Sequence, residues 1–250
     1  MYQFNTIQVA STVIEEFNHM IDLPDEIQII PVEINILTPY FTVIDQQLCL
    51  VTVPFNIFNC YQYYFQVIEK RRKPNSVLHD LISRKYQGSV LDLFAGFGRD
   101  SFIFLYRGCT VTAVENNPYI FVVLSYFNKL YYKNFSRKLE LKYMDAYSVI
   151  KNDESETIVK KFETVYIDPM FDDNQSALPP KDMQIIAYLS SLFNNTAIEA
   201  QELSLALLKH LVANRVIIKR DNKQQALLHD AKPNFAKKSK CIRFDVYTCS

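Results

Sequence analysis

Glycine is scarce in this chain, which has only four glycines among its 250 residues. All four lie between Gly88 and Gly108, so the rest of the chain is built without them. Because glycine adopts positive φ readily and lets a ligand approach the bare backbone, its restriction to one stretch marks a place where that freedom is needed. The closest pair, Gly96 and Gly98, follows the apolar run 90–94, which suits a buried strand. We therefore predict a tight ligand-binding turn after that strand.

Other absences narrow the class of protein. No apolar run approaches the roughly 20 residues of a membrane helix, and the first ten residues lack the cationic start of a signal peptide. We expect a cytoplasmic protein without membrane contact. The five cysteines show no CxxC spacing and the four histidines no HExxH pair, so we expect neither disulfides nor a metal. Lys plus Arg and Asp plus Glu are equal at 27 each, so overall charge does not indicate a nucleic-acid partner.

The pattern of apolar runs and breaks predicts two units. Residues 1–75 contain short strand candidates within 27–37, 41–44 and 48–53, and an aromatic helix at 57–68, which together predict a small α+β unit. Residues 76–250 alternate strands with helices. This alternation predicts an α/β fold in which a Rossmann-like sheet of parallel strands carries helices on both faces. The expected strands are 90–94, 110–115, 139–143, 164–168, 215–219 and 242–247, and the expected helices are 77–86, 99–106, 118–132, 146–151, 181–192 and 197–211.

The glycine turn has the spacing of a nucleotide-binding loop. Asp92, Gly96 and Gly98 form a D-x-x-x-G-x-G pattern, and Glu115 ends the next predicted strand, where a carboxylate accepts hydrogen bonds from a ribose diol. Ser101 replaces the third glycine of the dinucleotide fingerprint, and Asp100 places an acid where a phosphate needs bare amides. The loop therefore favours S-adenosylmethionine, which has no phosphate. An NAD(P)-binding oxidoreductase and a purely structural turn are the alternatives.

Two further acidic residues follow predicted strands. Asp145, before Ala146, is placed to accept from an adenine amino group or to cap a helix. Asp168, Pro169, Met170 and Phe171 resemble the D/N-P-P-Y/F loop of amino methyltransferases. An exocyclic amine is a poor nucleophile because its lone pair is delocalised into the ring. Asp168 would hold the amine hydrogens, Pro169 would stiffen the turn and Phe171 would stack on the base, so that catalysis is mainly positioning. The alternative is a strand-ending turn with a core phenylalanine.

Basic residues form three local clusters that suit phosphate contacts, or else an ordinary solvated surface. They are Lys70, Arg71, Arg72 and Lys73, then Lys219 and Arg220, and finally Lys232, Lys237, Lys238, Lys240 and Arg243.

Taken together, these segments resemble one known family. VLDLFAGFGRDSF, AVENNP, VYIDPMF, VIIKR and RFDVY are similar, in order and spacing, to the bacterial 16S ribosomal RNA guanine-N2 methyltransferase J family, over about residues 69–247. The resemblance implies a class I S-adenosylmethionine-dependent methyltransferase that modifies a guanosine near the 3′ end of 16S rRNA. The cofactor positions that it implies are Arg99, Asp100, Glu115, Asn116, Asp145, Ala146 and Asp168, and its basic stretch matches residues 71–73.

Other functions remain open at this point. They are methylation of an amino group in another nucleic acid, the oxidoreductase, and a non-catalytic RNA-binding assembly factor. A cytosine-C5 methyltransferase is disfavoured because no cysteine follows a proline here.

Overall fold

The structure is a computed structural model. It describes residues 5–33, 39–52, 56–69, 77–82, 88–146, 148–151, 162–168, 180–193, 214–223 and 232–248. Pro169, Phe171 and the basic stretch Lys70, Arg71, Arg72 and Lys73 lie outside these ranges, as do the predicted helix 197–211 and the predicted boundary between residues 75 and 76.

The N-terminal unit is a five-stranded sheet with the order β2-β1-β3-β4-β5. β1 is parallel to β2 and β3, and the remaining pairs are antiparallel. The predicted strands 41–44 and 48–53 form a hairpin as β3 and β4, with Asp45 and Gln46 at φ 50° and 59°. Two positive φ values match the twist of a two-residue hairpin. The strands are β1 (Thr6–Ala10), β2 (Gln28–Val32), β3 (Tyr40–Ile44), β4 (Gln47–Thr52) and β5 (Asn56–Asn59), and helix α1 (Ile14–Met20) follows β1.

The predicted helix 57–68 was wrong at its start. Residues 56–59 form β5, whose backbone pairs with β4, and the helix begins only at Cys60. Asn59 sets this start because its side chain accepts from the Gln62 amide at 2.9 Å. Helix α2 (Cys60–Tyr63) continues into a π-helical turn (Tyr64–Glu69), and the short helix α3 (Val77–Leu81) follows.

The second unit is a seven-stranded sheet with the order β11-β12-β10-β9-β6-β7-β8. The strands from β10 to β8 are mutually parallel, and β12 and β11 add to the sheet in antiparallel register. The predicted class I Rossmann-like arrangement is confirmed. The strands are β6 (Ser89–Asp92), β7 (Thr110–Glu115), β8 (Glu140–Tyr143), β9 (Thr164–Ile167), β10 (Arg215–Asp221), β11 (Phe235–Lys238) and β12 (Ile242–Thr248), and the helices are α4 (Ser101–Tyr106), α5 (Pro118–Phe135), α6 (Ser148–Lys151) and α7 (Lys181–Leu192).

Buried side chains join the two sheets in one core. The Tyr119 hydroxyl on α5 donates to the Pro39 carbonyl at 2.9 Å and accepts from the Gln8 amide at 3.0 Å, so both bonds cross between the units. The described helices include none that is long and apolar enough to cross a bilayer.

Candidate active site

The carboxyl ends of β6, β9 and β10 meet at one edge of the large sheet, where the three strands are adjacent and parallel. From β6 the chain winds outward to β7 and β8, and it then returns to β9 on the other side of β6. Open α/β sheets bind ligands beyond the strand ends at such a reversal. Asp92 ends β6, Glu115 ends β7 and Asp168 follows β9, so three predicted site residues lie along this edge.

The turn after β6 requires its glycines. Gly96 and Gly98 have φ values of 54° and 74°, where side chains are strained. A Cβ on Gly98 would also lie 2.6 Å from Leu124 Cδ1 and 2.9 Å from Phe102 Cε2. Between the glycines, the buried Phe97 ring stacks on Phe58 of β5 with a centroid distance of 5.6 Å. The loop is therefore held from both sides, with α4 and α5 beneath it and the N-terminal unit above its middle residue.

Glu115 organises the amides around the end of β7. Its carboxylate accepts from the Gly96 amide at 3.0 Å and from the Asn117 amide at 2.8 Å. Burial raises the pKa of Glu115 to about 7, against the opposing effect of these hydrogen bonds. The side chain is half-buried and spans from its own strand to the glycine turn, which is the position that the sequence predicts for a ribose acceptor.

Asp92 lies deeper and serves the turn itself. The residue is 1% exposed, and its carboxylate accepts from the Ser101 hydroxyl and from the Phe94 amide. Burial raises the pKa of Asp92 to about 7, and the carboxylates of Asp100 and Asp168 add to this shift. Asp92 therefore fastens the end of β6 to the start of α4 and adds negative charge beneath the site.

Asp168 is joined by a lysine that reaches across from the neighbouring strand. Lys219 Nζ lies 2.6 Å from Asp168 Oδ2 and 2.7 Å from Asp100 Oδ2. The β9–β10 register explains the first contact, because Ile167 pairs with Ile218 and the next residues are Asp168 and Lys219. Asp100 arrives from the glycine loop, where it is the N-cap residue of α4. One buried ammonium thus links two carboxylates from different parts of the chain.

Tyr166 completes this cluster from below. Its hydroxyl donates to Asp100 Oδ2 at 2.7 Å, and the residue is fully buried. Burial raises the pKa of Tyr166 well above its usual value, and the nearby carboxylates act in the same direction. The hydroxyl therefore stays protonated as a fixed donor, and Asp100 receives hydrogen bonds from both Tyr166 and Lys219.

Arg99, the residue before Asp100, is paired with a carboxylate of α7. Its guanidinium donates to Asp182 Oδ2 at 2.8 Å, and the Tyr63 hydroxyl donates to the same oxygen at 2.6 Å. Asp182 is 7% exposed, so the pair is largely screened from water. These contacts connect the glycine loop, α7 and the N-terminal unit through one carboxylate.

The remaining predicted cofactor residues border the same edge. Asn116 is half-buried directly after Glu115, and Ala146 is buried after β8. The Asp145 side chain is exposed, while its carbonyl accepts from the Ser148 amide at 3.1 Å and starts α6. Its carboxylate is therefore accessible to a ligand.

A family model described as "Putative SAM-dependent methyltransferase" matches residues 63–249. The chain belongs to this family. Its cofactor is S-adenosylmethionine, as the sequence predicts, and the match favours methyl transfer over the oxidoreductase alternative.

Relatives agree with the resemblance seen in the sequence. The ribosomal RNA small subunit methyltransferase J of Coxiella burnetii is 35% identical over 170 residues, which cover 64% of this chain and 60% of that protein. The protein of the same name from Haemophilus ducreyi is 32% identical over 168 residues, which cover 66% of this chain and 64% of that protein. The predicted resemblance is confirmed, and the chain spans somewhat less than two thirds of the length of these curated relatives.

A solved structure shows the same fold over nearly the whole chain. The SAM-dependent methyltransferase of Neisseria gonorrhoeae has a TM-score of 0.59 and 22% identity, and the match covers 97% of this chain and 95% of that one.

The residues of the site fit S-adenosylmethionine. Gly96 and Gly98 give the loop backbone without side chains, and Glu115 and Asp145 offer carboxylate acceptors at the ends of β7 and β8. The cluster of Asp92, Asp100 and Asp168 gives the site negative charge, which suits a cofactor that has a sulfonium and an ammonium group but no phosphate. When bound, the cofactor supplies a methyl group on positively charged sulfur, which becomes neutral as the methyl leaves.

Three of the basic residues predicted to contact RNA are half-buried or buried in the structure. Lys219 was expected at an RNA surface, but the structure places it inside the site, where two carboxylates take up its charge. Arg243 was expected there too, yet it is 9% exposed and its Nε donates to Asp245 at 2.8 Å. Arg220 is half-buried beside it in the β10–β12 register. Both arginines are therefore less exposed than a solvated basic surface would be.

Three polar groups of the candidate site escaped the sequence reasoning, namely the Lys219 ammonium, the Tyr166 hydroxyl and the Asp182 carboxylate. A signal for the first was present, since Lys219 ends an apolar strand in the same manner as Asp168. Charged residues at the ends of adjacent parallel strands meet at one edge. Asp182 offered no such signal, because its partners are distant in sequence.

Proposed function

We propose that this protein transfers a methyl group from S-adenosylmethionine to the exocyclic N2 of a guanosine near the 3′ end of 16S rRNA in the small ribosomal subunit. The observation that carries the proposal is the Asp168 carboxylate at the end of β9, held at the sheet reversal beside the cofactor loop. The names of the relatives support the RNA substrate, and the DPMF sequence supports an amine acceptor.

Asp168 acts on the amine in two ways. Its carboxylate accepts a hydrogen bond from N2 and turns the nitrogen lone pair towards the methyl group, so that the bond to carbon forms as the bond to sulfur breaks. The nitrogen that gains the methyl group must lose one proton, and the ionised Asp168 is the acceptor that we assign. Pro169 would limit the freedom of the turn and Phe171 would stack on the guanine.

The cofactor is assigned to the residues along the strand ends. Glu115 would accept from the ribose hydroxyls, Asp145 from the adenine amino group, and the backbone of Gly96 and Gly98 would lie against the methionine part. Asp100 would interact with the cationic end of the cofactor. Asn116 and Ala146 would supply the remaining contacts, and Asp92 and Arg99 would act through the loop whose shape they hold.

An exposed cationic strand gives the RNA a docking surface. All four residues of β11 are exposed, including Lys237 and Lys238, and Phe235 is 45% exposed. The stretch from Lys232 to Phe244 contains no acidic residue. Lys237 of β11 pairs with Phe244 of β12, and Phe244 pairs on its other side with Lys219 of β10. The side chains of these three residues therefore lie on one face of the sheet. Strand spacing places Lys237 roughly 10 Å from Lys219.

Cations and an exposed aromatic ring are the features that hold single-stranded RNA, through phosphate contacts and base stacking. This cationic edge (Phe235, Lys237 and Lys238, with Lys232 and Lys240 beside them) would therefore guide the RNA towards Asp168. The basic stretch 70–73, which lies outside the described residues, stays a predicted second contact.

The direct test is labelled methyl transfer to small subunits isolated from cells that lack this modification, followed by mass-spectrometric location of the methyl group. Wild-type protein should label one guanosine at N2. Asp168→Asn keeps the shape of the side chain but cannot accept a proton, and its transfer rate should fall by at least about a hundredfold, as for loss of a general base. Transfer at the wild-type rate by this variant would contradict the role of Asp168, and labelling of another base would contradict the substrate.

A further inference from the structure

We propose that Lys219 is a positioning residue that keeps Asp168 ionised and fixes its orientation for methyl transfer, an inference that rests on the proposed function. Its ammonium contacts the Asp168 and Asp100 carboxylates at 2.6 and 2.7 Å, and its side chain is 17% exposed. A lysine with an RNA contact would need its ammonium at the surface. This one is committed to two acids inside the site.

The charges around Asp168 explain why a cation is needed there. Asp100 faces it from the glycine loop and Asp92 from the end of β6, and both carboxylates oppose its ionisation. The Tyr166 hydroxyl approaches from the same strand but donates to Asp100. Arg99 is the other nearby cation, and its guanidinium is paired with Asp182. Three acids therefore share this edge, and Lys219 bridges two of them.

Burial and charge act on Asp168 in opposite directions. Burial raises the pKa of Asp168, Lys219 lowers it, and Asp100 raises it again. For Lys219 itself, burial lowers the pKa of the ammonium, but Asp100 and Asp168 outweigh burial and raise it. The lysine thus remains charged throughout the neutral range. Removal of this cation would leave only the weaker effect of Arg99 to oppose burial and Asp100, and Asp168 would bind a proton more readily.

A protonated Asp168 cannot serve the amine. It would present an O–H donor where an acceptor is required, and it could not take the proton that N2 releases. Lys219 also fixes the direction of the carboxylate by holding Oδ2, so that Oδ1 is the oxygen that we assign to the substrate. Charge and orientation are separable contributions, and substitutions at position 219 distinguish them.

The first measurement is independent of any RNA. Protein labelled with ¹³C at the aspartate carboxyls is titrated by NMR, and the Asp168 signal is assigned by its loss in Asp168→Asn. In Lys219→Met the Asp168 carboxyl should titrate at higher pH than in the wild type. Lys219→Gln, which keeps a donor but no charge, should do the same, whereas Lys219→Arg should retain a wild-type titration. Lys142→Met, at an exposed lysine on β8, is the matched control and should leave the Asp168 titration unchanged.

The second measurement is the pH dependence of kcat for methyl transfer. The acidic limb should move to higher pH in Lys219→Met, and each pKa unit by which Asp168 then exceeds the assay pH lowers its ionised fraction about tenfold. The rate should recover as the pH rises. Lys219→Arg should keep the acidic limb near that of the wild type, and melting temperatures identify any variant that fails to fold.

The two proposals fail in different ways. If wild-type protein does not methylate the small subunit, the proposed function is wrong, and the NMR titration still tests Lys219. If Lys219→Gln and Lys219→Met leave the Asp168 titration and the acidic limb unchanged, the inference about Lys219 is overturned, even where the rate is lower at every pH.

Discussion

The raised pKa of Glu115 predicts that cofactor affinity depends on pH. Its pKa is raised to about 7, so the side chain is protonated in part of the population at neutral pH and ionised above it. The ionised form is the stronger acceptor for a ribose hydroxyl, because a hydrogen bond to a charged group contributes on the order of 1.5–3 kcal/mol and one to a neutral group about 0.5–1.5 kcal/mol. We expect the affinity for S-adenosylhomocysteine to increase from about pH 6 to about pH 8, a window that brackets this pKa.

Calorimetric titration across that range measures the effect. Glu115→Gln should bind more weakly at the upper end and lose most of the pH dependence, since its side chain does not ionise. Equal pH dependence in the variant and the wild type would contradict the ribose role of Glu115.

The ion-pair partners of Lys219 could not be predicted from the sequence around it. The sequence places it beside Arg220 in a basic cluster, which predicted a phosphate contact. Its two acidic partners are 51 and 119 residues away along the chain, and the shared edge of the sheet brings them together. The positions of Asp92, Glu115 and Asp168 at the sheet edge were easier to predict, because each ends or directly follows an apolar strand. The sequence therefore predicted which charged residues lie at the strand ends, but it did not predict which oppositely charged side chains pair with Lys219.

The exposed edge strand β11 carries a prediction for RNA binding. Each lysine that contacts a phosphate releases about one counterion, which contributes roughly 0.7 to the slope of log K against log salt for single strands. Replacement of Lys237 and Lys238 by alanine should therefore lower the magnitude of this slope by about 1.4 for an RNA fragment from the 3′ end of 16S rRNA. Fluorescence anisotropy at several KCl concentrations measures the slope.

A matched pair of lysines provides the control. Lys133 and Lys138 are also exposed and lie near the C-terminal end of α5, away from β11. Their replacement by alanine removes the same charge and should leave the slope unchanged. Both double variants should bind S-adenosylhomocysteine with wild-type affinity. An equal loss of slope in both would show that net charge, and not the cationic edge, attracts the RNA.

The accuracy of the predicted elements followed the strength of their local signals. β7 and α7 have the predicted bounds, 110–115 and 181–192, because each is a strong apolar pattern with clear breaks. β1, α1, β5 and β11 were missed. Residues 56–59 continue into a helix without a break and become a strand only by pairing with β4. β11 has no buried face, since all four residues are exposed, and backbone pairing with β12 defines it.

The stability of the whole molecule should depend on pH through Asp92. Its pKa is about 7 in the folded protein, whereas the ordinary aspartate value is 3.8. Between these values the folded state binds more protons than the unfolded state, so the free energy of unfolding falls as the pH rises. The contribution of Asp92 is about 1.4 kcal/mol for each pH unit within that window, and it is fully lost above the folded pKa.

Urea unfolding of wild type and Asp92→Asn at several pH values tests this expectation. The asparagine does not titrate, so the variant should gain stability relative to the wild type as the pH rises from about 4 to about 7. Glu140→Gln is the control with the opposite sign. Lys142 lowers the pKa of Glu140, whose contribution is present above the unfolded pKa and is lost as the pH falls. If the free energies of unfolding of wild type and Asp92→Asn differed by the same amount at every pH, the raised pKa of Asp92 would be contradicted.

At the scale of the whole molecule, the sequence was informative about the class of protein. The five motifs lie in family order along the chain, and the predicted cofactor follows from them. The attachment of the N-terminal unit was not predictable, because it depends on single long-range contacts such as that of Phe58 with Phe97.

The attachment of the N-terminal unit determines how far the chain can be shortened for recombinant expression. Phe97, the middle residue of the glycine turn, is covered by Phe58, and Phe127 of α5 stacks on Tyr63 at 5.7 Å between ring centroids. A recombinant fragment beginning at residue 76 would leave both phenylalanines uncovered in water and would remove the hydroxyl that donates to Asp182. Such a fragment would self-associate through its aromatic surface and lose the shape of its cofactor loop. Crystallisation and inhibitor screening therefore call for the full chain.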